Sequence, residues 1–249
     1  MTAIVSNPAA TPHVITWPLL PDDFVLPDDP VENEAQPRLA SALTSALSSQ
    51  PDLMQNALVV SNFALCASVD ARMICKAPDW MYIAPIERID RIRRSYTPHR
   101  EGGVPPLVME FLSESDCGEY SIRSSNGLGK WYFYERIIKI PTYVIFDPAS
   151  GALEVFDLKN GVYTQQEIDS NGRCFIEALD LWIGVWQGTR EFYEGFWLRW
   201  WTDEGDLLLW PEEIAQEAQA QAQAATSRAL KAEAENAALM AKLKAAGLD

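Results

Sequence analysis

Two carboxylates lie in or beside apolar, strand-like segments, where a charged side chain is unusual. Asp79 follows Pro78 and directly precedes WMYIAP, and Glu110 lies inside PLVMEFL. If PLVMEFL is a strand, its alternation places Glu110 on the same face as Val108 and Leu112. A carboxylate buried in such a setting costs free energy unless it is paired, hydrogen-bonded or metal-bound. Taken singly, each acid has an ordinary explanation, a turn for Asp79 and an arginine partner for Glu110.

Taken together, the two acids favour a divalent-metal site. Two adjacent strands that each present a carboxylate make a cluster of hard oxygen ligands, which Mg²⁺ and Mn²⁺ prefer. An ion held there can polarise a phosphate and help to form the attacking hydroxide. The residues therefore predict a site for magnesium, or manganese, that acts on phosphodiester bonds.

A basic cluster lies between the two acids. Residues 86–100 contain five arginines against two acids, and these arginines are Arg88, Arg91, Arg93, Arg94 and Arg100. One interpretation is a solvated loop with local ion pairs to Glu87 and Asp90. The other is a patch that binds the phosphates of a nucleic acid.

The net charge of −15 argues against a nucleic-acid partner, because phosphate binding depends on Lys and Arg. The excess is concentrated at the two ends of the chain. Residues 1–50 hold six acids and one base, and residues 200–249 hold nine acids and four bases, so each end carries −5. The acidic total weakens a DNA-binding hypothesis without excluding it.

The elements that must position the acids predict an α/β or α+β fold with a mixed sheet. Residues 1–33 are expected to form an extended arm, and residues 34–50 a helix with Leu39, Leu43 and Leu47 on one side. Short apolar segments predict strands, a helix is expected over 130–140, and the Trp-dense residues 170–210 predict a β-rich extension. The predicted strands are ALVVSNFAL, WMYIAP, PLVMEFL, TYVIFDP and ALEVFDL.

The last segment, residues 211–249, predicts a helical tail outside the main domain of residues 34–210. It opens with Pro and two Glu and is rich in Ala, Glu, Gln and Lys. A thin alanine and leucine seam at heptad spacing, with Asn236 within it, leaves two alternatives: a single solvated helix, or a coiled coil that forms a homodimer. We expect removal of everything after Trp210 to leave the core folded.

Composition favours a cytoplasmic protein. No apolar run approaches the roughly 18–20 residues that a membrane span requires, and the N-terminal residues lack the layout of a secretory signal. The four cysteines are scattered without a CxxC pair, which predicts neither a zinc site nor a disulfide. Neither histidine has a partner at the spacing of a metal site or catalytic triad.

Motifs in order along the chain resemble the Uma-type restriction endonuclease family, within the PD-(D/E)xK nuclease superfamily. They are PDWMYIAP, REGGVPPLVMEFLSES and GLGKWYFYERIIKIPTYVIFDP, and the resemblance covers roughly residues 55–225. It implies a restriction endonuclease-like core, a mixed sheet flanked by helices, and Mg²⁺-dependent cleavage of DNA. Asp79 matches the motif Asp, Glu110 matches the second acid, and the backbone carbonyl of Phe111 would face the metal.

The sequence departs from the superfamily pattern at Leu112, where the motif has a lysine. Lys130, at the start of the next helix, is the candidate replacement, although a surface lysine is the ordinary alternative. The resemblance also implies an acid from an upstream helix, for which Glu34 is the candidate; exposed acids at a helix start are common. The rival hypothesis is a degenerate, inactive nuclease fold that binds nucleic acid or assembles proteins.

Overall fold

The computed structural model describes residues 34–70, 72–86, 90, 92–113, 123–124 and 127–246. The predicted arm of residues 1–33 lies outside them, as do Arg88 and Arg91. The helices are α1 (Ala35–Leu47), α2 (Pro51–Met54), α3 (Lys130–Tyr132), which continues as a π-helix over Phe133–Ile138, and α4 (Pro211–Ala245).

The described residues form fourteen strands. They are β1 (Leu58–Val60), β2 (Ala64–Val69), β3 (Arg72–Lys76), β4 (Trp80–Ile83), β5 (Ser95–Tyr96), β6 (Leu107–Phe111), β7 (Arg123–Ser124), β8 (Gly127–Leu128), β9 (Thr142–Asp147), β10 (Ala152–Lys159), β11 (Val162–Gln165), β12 (Arg173–Ile176), β13 (Leu181–Arg190) and β14 (Tyr193–Trp201).

A six-stranded mixed sheet forms the centre, in the order β1-β4-β6-β9-β10-β11. Only β6 and β9 run parallel, and the chain between them contains the helix that begins at Lys130. A second sheet, β3-β2-β5, holds one parallel pair, and a third, β12-β13-β14, is wholly antiparallel. The predicted mixed-sheet α+β class is confirmed.

Helix α1 lies in the core that one face of the main sheet shares with the third sheet. Its apolar stripe of Leu39, Leu43 and Leu47 is buried, as the spacing predicts. Tryptophans hold the helix in place: Trp200 Nε1 donates to the Leu43 carbonyl at 3.3 Å, and Trp210 Nε1 donates to the Ala42 carbonyl at 3.1 Å. The Trp-dense extension therefore covers α1, and its indole N–H groups keep hydrogen-bond partners inside the core.

A separate cluster covers the opposite face of the main sheet. Met81, Val108 and Tyr143 supply the sheet side, Phe133 and Tyr134 come from the π-helix, and Leu65 and Tyr96 come from the second sheet. Alternation along β6 explains the division, because Met109 and Phe111 point to the α1 side while Val108 points to this one. We call this second cluster the π-helix cluster.

Two expectations from the sequence are wrong in detail. ALVVSNFAL forms two strands in two sheets rather than one, because the chain turns at Asn62, whose φ is 48°. Cys66 and Cys75 form a disulfide across the β2–β3 hairpin, where they are directly opposed. The sequence shows no such pair because the two cysteines meet only through the register of the hairpin. A cytoplasmic location stays a prediction.

Helix α4 is continuous from Pro211 to Ala245, as predicted, and none of its residues is buried. Its first turn nevertheless contacts the core. Arg199, whose side chain is 0% exposed, donates two hydrogen bonds to Glu213, at 2.7 and 3.1 Å, and its guanidinium lies 3.4 Å from the Trp210 ring. Arg190 pairs with Glu212 at 2.7 Å. These contacts argue for ending the domain after this turn rather than at residue 210.

No helix within the described ranges has both the length and the apolar composition to cross a membrane.

Removing the chain after Trp210 should therefore destabilise the core, contrary to the expectation from the sequence. Buried Arg199 would lose Glu213, and an uncompensated buried charge costs about 3 kcal/mol or more. Removal after Gln216 keeps both ion pairs and should leave the free energy of unfolding nearly unchanged. Urea unfolding of the two truncated proteins measures the difference, and equal stabilities would show that the first turn of α4 does not support the core.

Candidate metal and phosphodiester site

The two predicted acids lie at the same end of neighbouring strands. In the antiparallel pairing of β4 and β6, Trp80 lies opposite Met109, so the next position on each strand brings Asp79 towards Glu110. The backbone N–H of Phe111 donates to Asp79 Oδ2 at 2.6 Å, which holds the first carboxylate against the second strand. Alternation places both acids on the side of the π-helix cluster.

Glu110 is fully buried, with 0% of its surface exposed. Lys130 Nζ lies 2.9 Å from Glu110 Oε2, and the Tyr134 hydroxyl donates to Glu110 Oε1 at 2.8 Å. The Lys130 side chain remains 25% exposed. The structure thus brings Lys130 to Glu110, as predicted, and adds Tyr134, which was not among the residues predicted from the sequence.

The helix that carries these two partners begins as an α-helix and continues as a π-helix. Lys130 starts it, Phe133–Ile138 have π winding, and Lys139 ends it with a φ of 62°, two residues before Pro141. Residues four apart lie on one side of a helix, which is why Lys130 and Tyr134 reach the same carboxylate. Single π segments in helices occur frequently at functional sites.

Burial sets the protonation of Glu110. Loss of solvent raises the pKa of its carboxyl to about 8; the charge of Lys130 opposes this shift, and the charge of Asp79 adds to it. Burial also raises the pKa of Tyr134 well above its usual value, and the charge of Glu110 raises it further. The Tyr134 hydroxyl therefore remains a hydrogen-bond donor, and the Glu110 carboxyl retains its proton more strongly than a solvated one.

The Phe111 carbonyl, expected from the family resemblance to face the metal, accepts a hydrogen bond from Gln36 Nε2 at 2.9 Å. Gln36 lies in the first turn of α1, 75 residues away in sequence. Gln36 was not among the residues predicted from the sequence, although a polar residue three positions before Leu39 is a signal, since that spacing places it on the buried side of the helix.

Glu34, the candidate for an additional acid, lies at the surface. It occupies the N-cap position of α1, its side chain is 75% exposed, and its carboxylate is 4.0 Å from Arg38. This is the ordinary surface position that the sequence also allowed. Gln36, two residues later, donates a hydrogen bond to the backbone of β6, the strand that carries Glu110.

The basic loop is divided between buried and exposed residues. Arg93 is only 12% exposed at its side chain and pairs with Glu101 at 3.6 Å, an acid outside the two considered from the sequence. Arg94 and Arg100 are exposed. Only these two, among the arginines of the loop that the structure describes, present a guanidinium to solvent.

The oxygen donors of this site fit a magnesium ion. Among the described residues, no three His, Cys, Asp or Glu side chains are grouped so as to hold a metal. Mg²⁺ does not require such a group, because it retains several waters and binds through one or two carboxylates and a phosphate. Asp79, Glu110 and the Phe111 carbonyl supply hard oxygens, and each oxygen that accepts a hydrogen bond keeps a second lone pair.

A mixed sheet with an acid pair on neighbouring strands is the arrangement that the family resemblance implies. The family model "Uma2: Putative restriction endonuclease" matches residues 22–186, and the chain belongs to this family. A solved structure titled a putative nuclease belonging to DUF820, from Anabaena variabilis ATCC 29413, shares 14% identity and a TM-score of 0.39. The match covers 57% of this chain and 72% of that one. No curated protein matches the chain.

The raised pKa of Glu110 predicts that the metal-free protein loses stability as pH rises. The folded state retains a proton that the unfolded chain releases between its ordinary pKa of 4.5 and about 8. The contribution of this carboxyl to the free energy of unfolding is therefore fully present below about pH 4.5 and is lost as the pH rises to about 8. Relative to Glu110→Gln, the free energy of unfolding of the native protein should fall by a few kcal/mol over this pH range, since each unit of pKa difference corresponds to about 1.4 kcal/mol.

Urea unfolding in a chelating buffer at several pH values measures this difference. Glu34→Gln serves as the control, because it alters an exposed acid at the surface. A difference between the native protein and Glu110→Gln that does not vary with pH would contradict the assignment of a raised pKa to Glu110.

Proposed function

We propose that the chain is a magnesium-dependent endonuclease that hydrolyses DNA phosphodiester bonds at Asp79 and Glu110. The observation that carries this proposal is the buried carboxyl of Glu110, hydrogen-bonded by Lys130 and Tyr134 beside Asp79 on the neighbouring strand. Burying such a cluster of ionisable groups costs free energy of folding, and carboxyls with a perturbed pKa concentrate at functional sites. The family description supports the same class of reaction.

Asp79, Glu110 and the Phe111 carbonyl would hold the ion, and Mn²⁺ suits the same oxygen ligands. When bound, the ion polarises the phosphate and lowers the pKa of its water ligands. Around it, Gln36 fixes the direction of the Phe111 carbonyl, and the Phe111 N–H fixes one oxygen of Asp79. Hydrogen bonds of this kind orient metal ligands and support affinity.

Lys130 supplies the cation that is absent at Leu112. Its ammonium approaches from the helix rather than from the strand, and it already lies at the carboxylate that would bind the ion. In that position it stabilises the ionised form of Glu110 and offsets negative charge that develops on the phosphate. Tyr134 orients the other oxygen of Glu110.

DNA would be held mainly through its phosphates. Arg94 and Arg100 are exposed and can steer an anionic backbone towards the site, whereas Arg93 is committed to Glu101. Arg88 and Arg91, in the same loop of the sequence, complete the proposed set. Contacts of this type position a duplex without selecting its sequence.

Cleavage of supercoiled plasmid DNA tests the proposal. The native protein should cleave with Mg²⁺ or Mn²⁺ and stop when EDTA is added. Asp79→Ala, Glu110→Gln and Lys130→Met should each lower the rate by roughly 10²–10³-fold, since each removes a group that acts on the charged transition state. Glu34→Ala is the matched acid control and should retain the native rate because Glu34 lies at the surface.

The alternative is an inactive nuclease fold that binds nucleic acid or assembles proteins. Leu112 favours it, and so does the Lys130–Glu110 pair, which satisfies both charges without any ion. On that hypothesis the native protein shows no metal-dependent cleavage above that of Glu110→Gln, while DNA binding or self-association persists. This outcome would overturn the endonuclease proposal.

We also propose that α4 joins two copies of the chain as a coiled coil. Ile214, Leu239 and Leu243 are exposed and fall on one side of the helix with the alanine seam, and Leu230 falls on the other. Because isolated helices are marginally stable in water, an exposed helix of 35 residues gains from pairing.

Sedimentation of the full chain measures the oligomeric state. Replacing Leu239 and Leu243 together by Ala should shift the dimer towards monomer, because about 0.8 kcal/mol is lost for each buried CH₂ removed. Leu230→Ala removes an equal side chain from the opposite face and should leave the dimer unchanged. A native chain that sediments as a monomer at high concentration would end the pairing proposal.

A further inference from the structure

A second lysine faces the same cluster as the two acids. Lys76 is the last residue of β3 and lies directly opposite Leu65 of β2. Directly opposed residues of an antiparallel pair point to the same face. Leu65 is fully buried in the π-helix cluster together with Val108 and Tyr134. The Lys76 side chain therefore projects towards the side of the main sheet on which Glu110 lies.

Sequence position gives the same placement. Lys76 is three residues before Asp79, and the connection between them includes the buried Pro78. Leu112, which stands where the superfamily motif has its lysine, packs against the same cluster. Lys76, Leu112 and the two acids thus belong to one side of the molecule.

Lys130 forms an ion pair with Glu110, whereas Lys76 forms no ion pair with any described residue. Lys76 is half-buried, and no hydrogen bond or ion pair joins its ammonium to any residue in the described ranges. Burial and the positive charge of Lys130 lower the pKa of Lys76, and they outweigh the attraction of Glu110. The protein therefore holds a partly desolvated cation next to another cation, an arrangement that costs stability.

We propose that Lys76 binds a non-bridging oxygen of the scissile phosphate and is a second substrate-binding cation of this site. The proposal rests on the endonuclease function above. Lys130 remains on Glu110, whereas the ammonium of Lys76 donates a charge-assisted hydrogen bond to the phosphodiester. No bond to Lys76 forms or breaks in the reaction. An anionic phosphate supplies a partner that the described residues do not.

The effect on stability distinguishes this role from a structural one. If Lys76 supported the fold, Lys76→Met would lower the melting temperature. Because the charge is desolvated and faces Lys130, we expect Lys76→Met to melt at the native temperature or above it, while function falls. Substrate-binding groups commonly stabilise a protein when they are removed.

Binding of a short DNA duplex, measured by fluorescence anisotropy in Ca²⁺ across a range of KCl concentrations, tests the contact without turnover. Loss of one phosphate contact should reduce the slope of log affinity against log salt by about 0.9. Lys76→Met should show this reduction, and Lys76→Arg should retain the native slope. Lys159→Met, which removes an exposed lysine of β10, is the matched control and should behave as native.

Plasmid cleavage by the same variants in Mg²⁺ completes the experiment. Lys76→Met should lower kcat/KM by about tenfold or more, with Lys76→Arg partly restoring it and the Mg²⁺ concentration for half-maximal rate unchanged. If Lys76→Met does not fold, Lys76→Gln, which keeps a polar donor, replaces it. If the native protein cleaves DNA and Lys76→Met cleaves it at the same rate as Lys159→Met, this inference is overturned while the endonuclease proposal stands. A native protein that neither binds nor cleaves DNA would overturn the endonuclease proposal itself.

Discussion

The burial of the Glu110 carboxyl is the constraint on which the arrangement of this side of the molecule depends. A carboxyl with no solvent contact on a central strand requires donors, and Lys130 and Tyr134 supply one for each oxygen. That requirement fixes where the helix after β6 must begin and which of its sides faces the sheet. The connection between the parallel strands β6 and β9 thus serves a structural and a chemical purpose together.

The opposite side of the sheet is organised mainly by indoles. Trp200 and Trp210 donate to consecutive carbonyls of α1, and Trp80 Nε1 donates to Thr44 Oγ1 at 2.9 Å. Helix α1 is therefore held both by apolar packing and by directed hydrogen bonds. Its first turn carries Gln36 to the Phe111 carbonyl, so the placement of a candidate metal ligand depends on tryptophans that follow α1 by more than 150 positions.

Local features of the sequence predicted much of the fold and of the candidate site. Apolar segments gave the strands that carry the acids, and the conflict between a charge and its apolar neighbours identified Asp79 and Glu110. Lys130 emerged from its match to a motif. Gln36, Tyr134 and the Cys66–Cys75 pair were missed for one reason: each depends on which strands or helices become neighbours. Helical spacing places Gln36 on the buried side of α1, but no window of adjacent residues identifies the partners of these groups, and the split of ALVVSNFAL between two sheets has the same origin.

The attachment of α4 has a mechanical consequence. Two arginine–glutamate pairs and a stacked tryptophan fix the first turn of α4 to the third sheet. The helix therefore leaves the core in a fixed direction and is not attached by a flexible linker. At about 1.5 Å per residue its length is about 50 Å. It is a lever arm: a rotation of about 5° at the base displaces the far end by roughly 4–5 Å. Conversely, a partner bound at the far end would exert a torque on β14. Trp200 of that strand donates to a carbonyl of α1, so the torque would reach the helix that orients the Phe111 carbonyl.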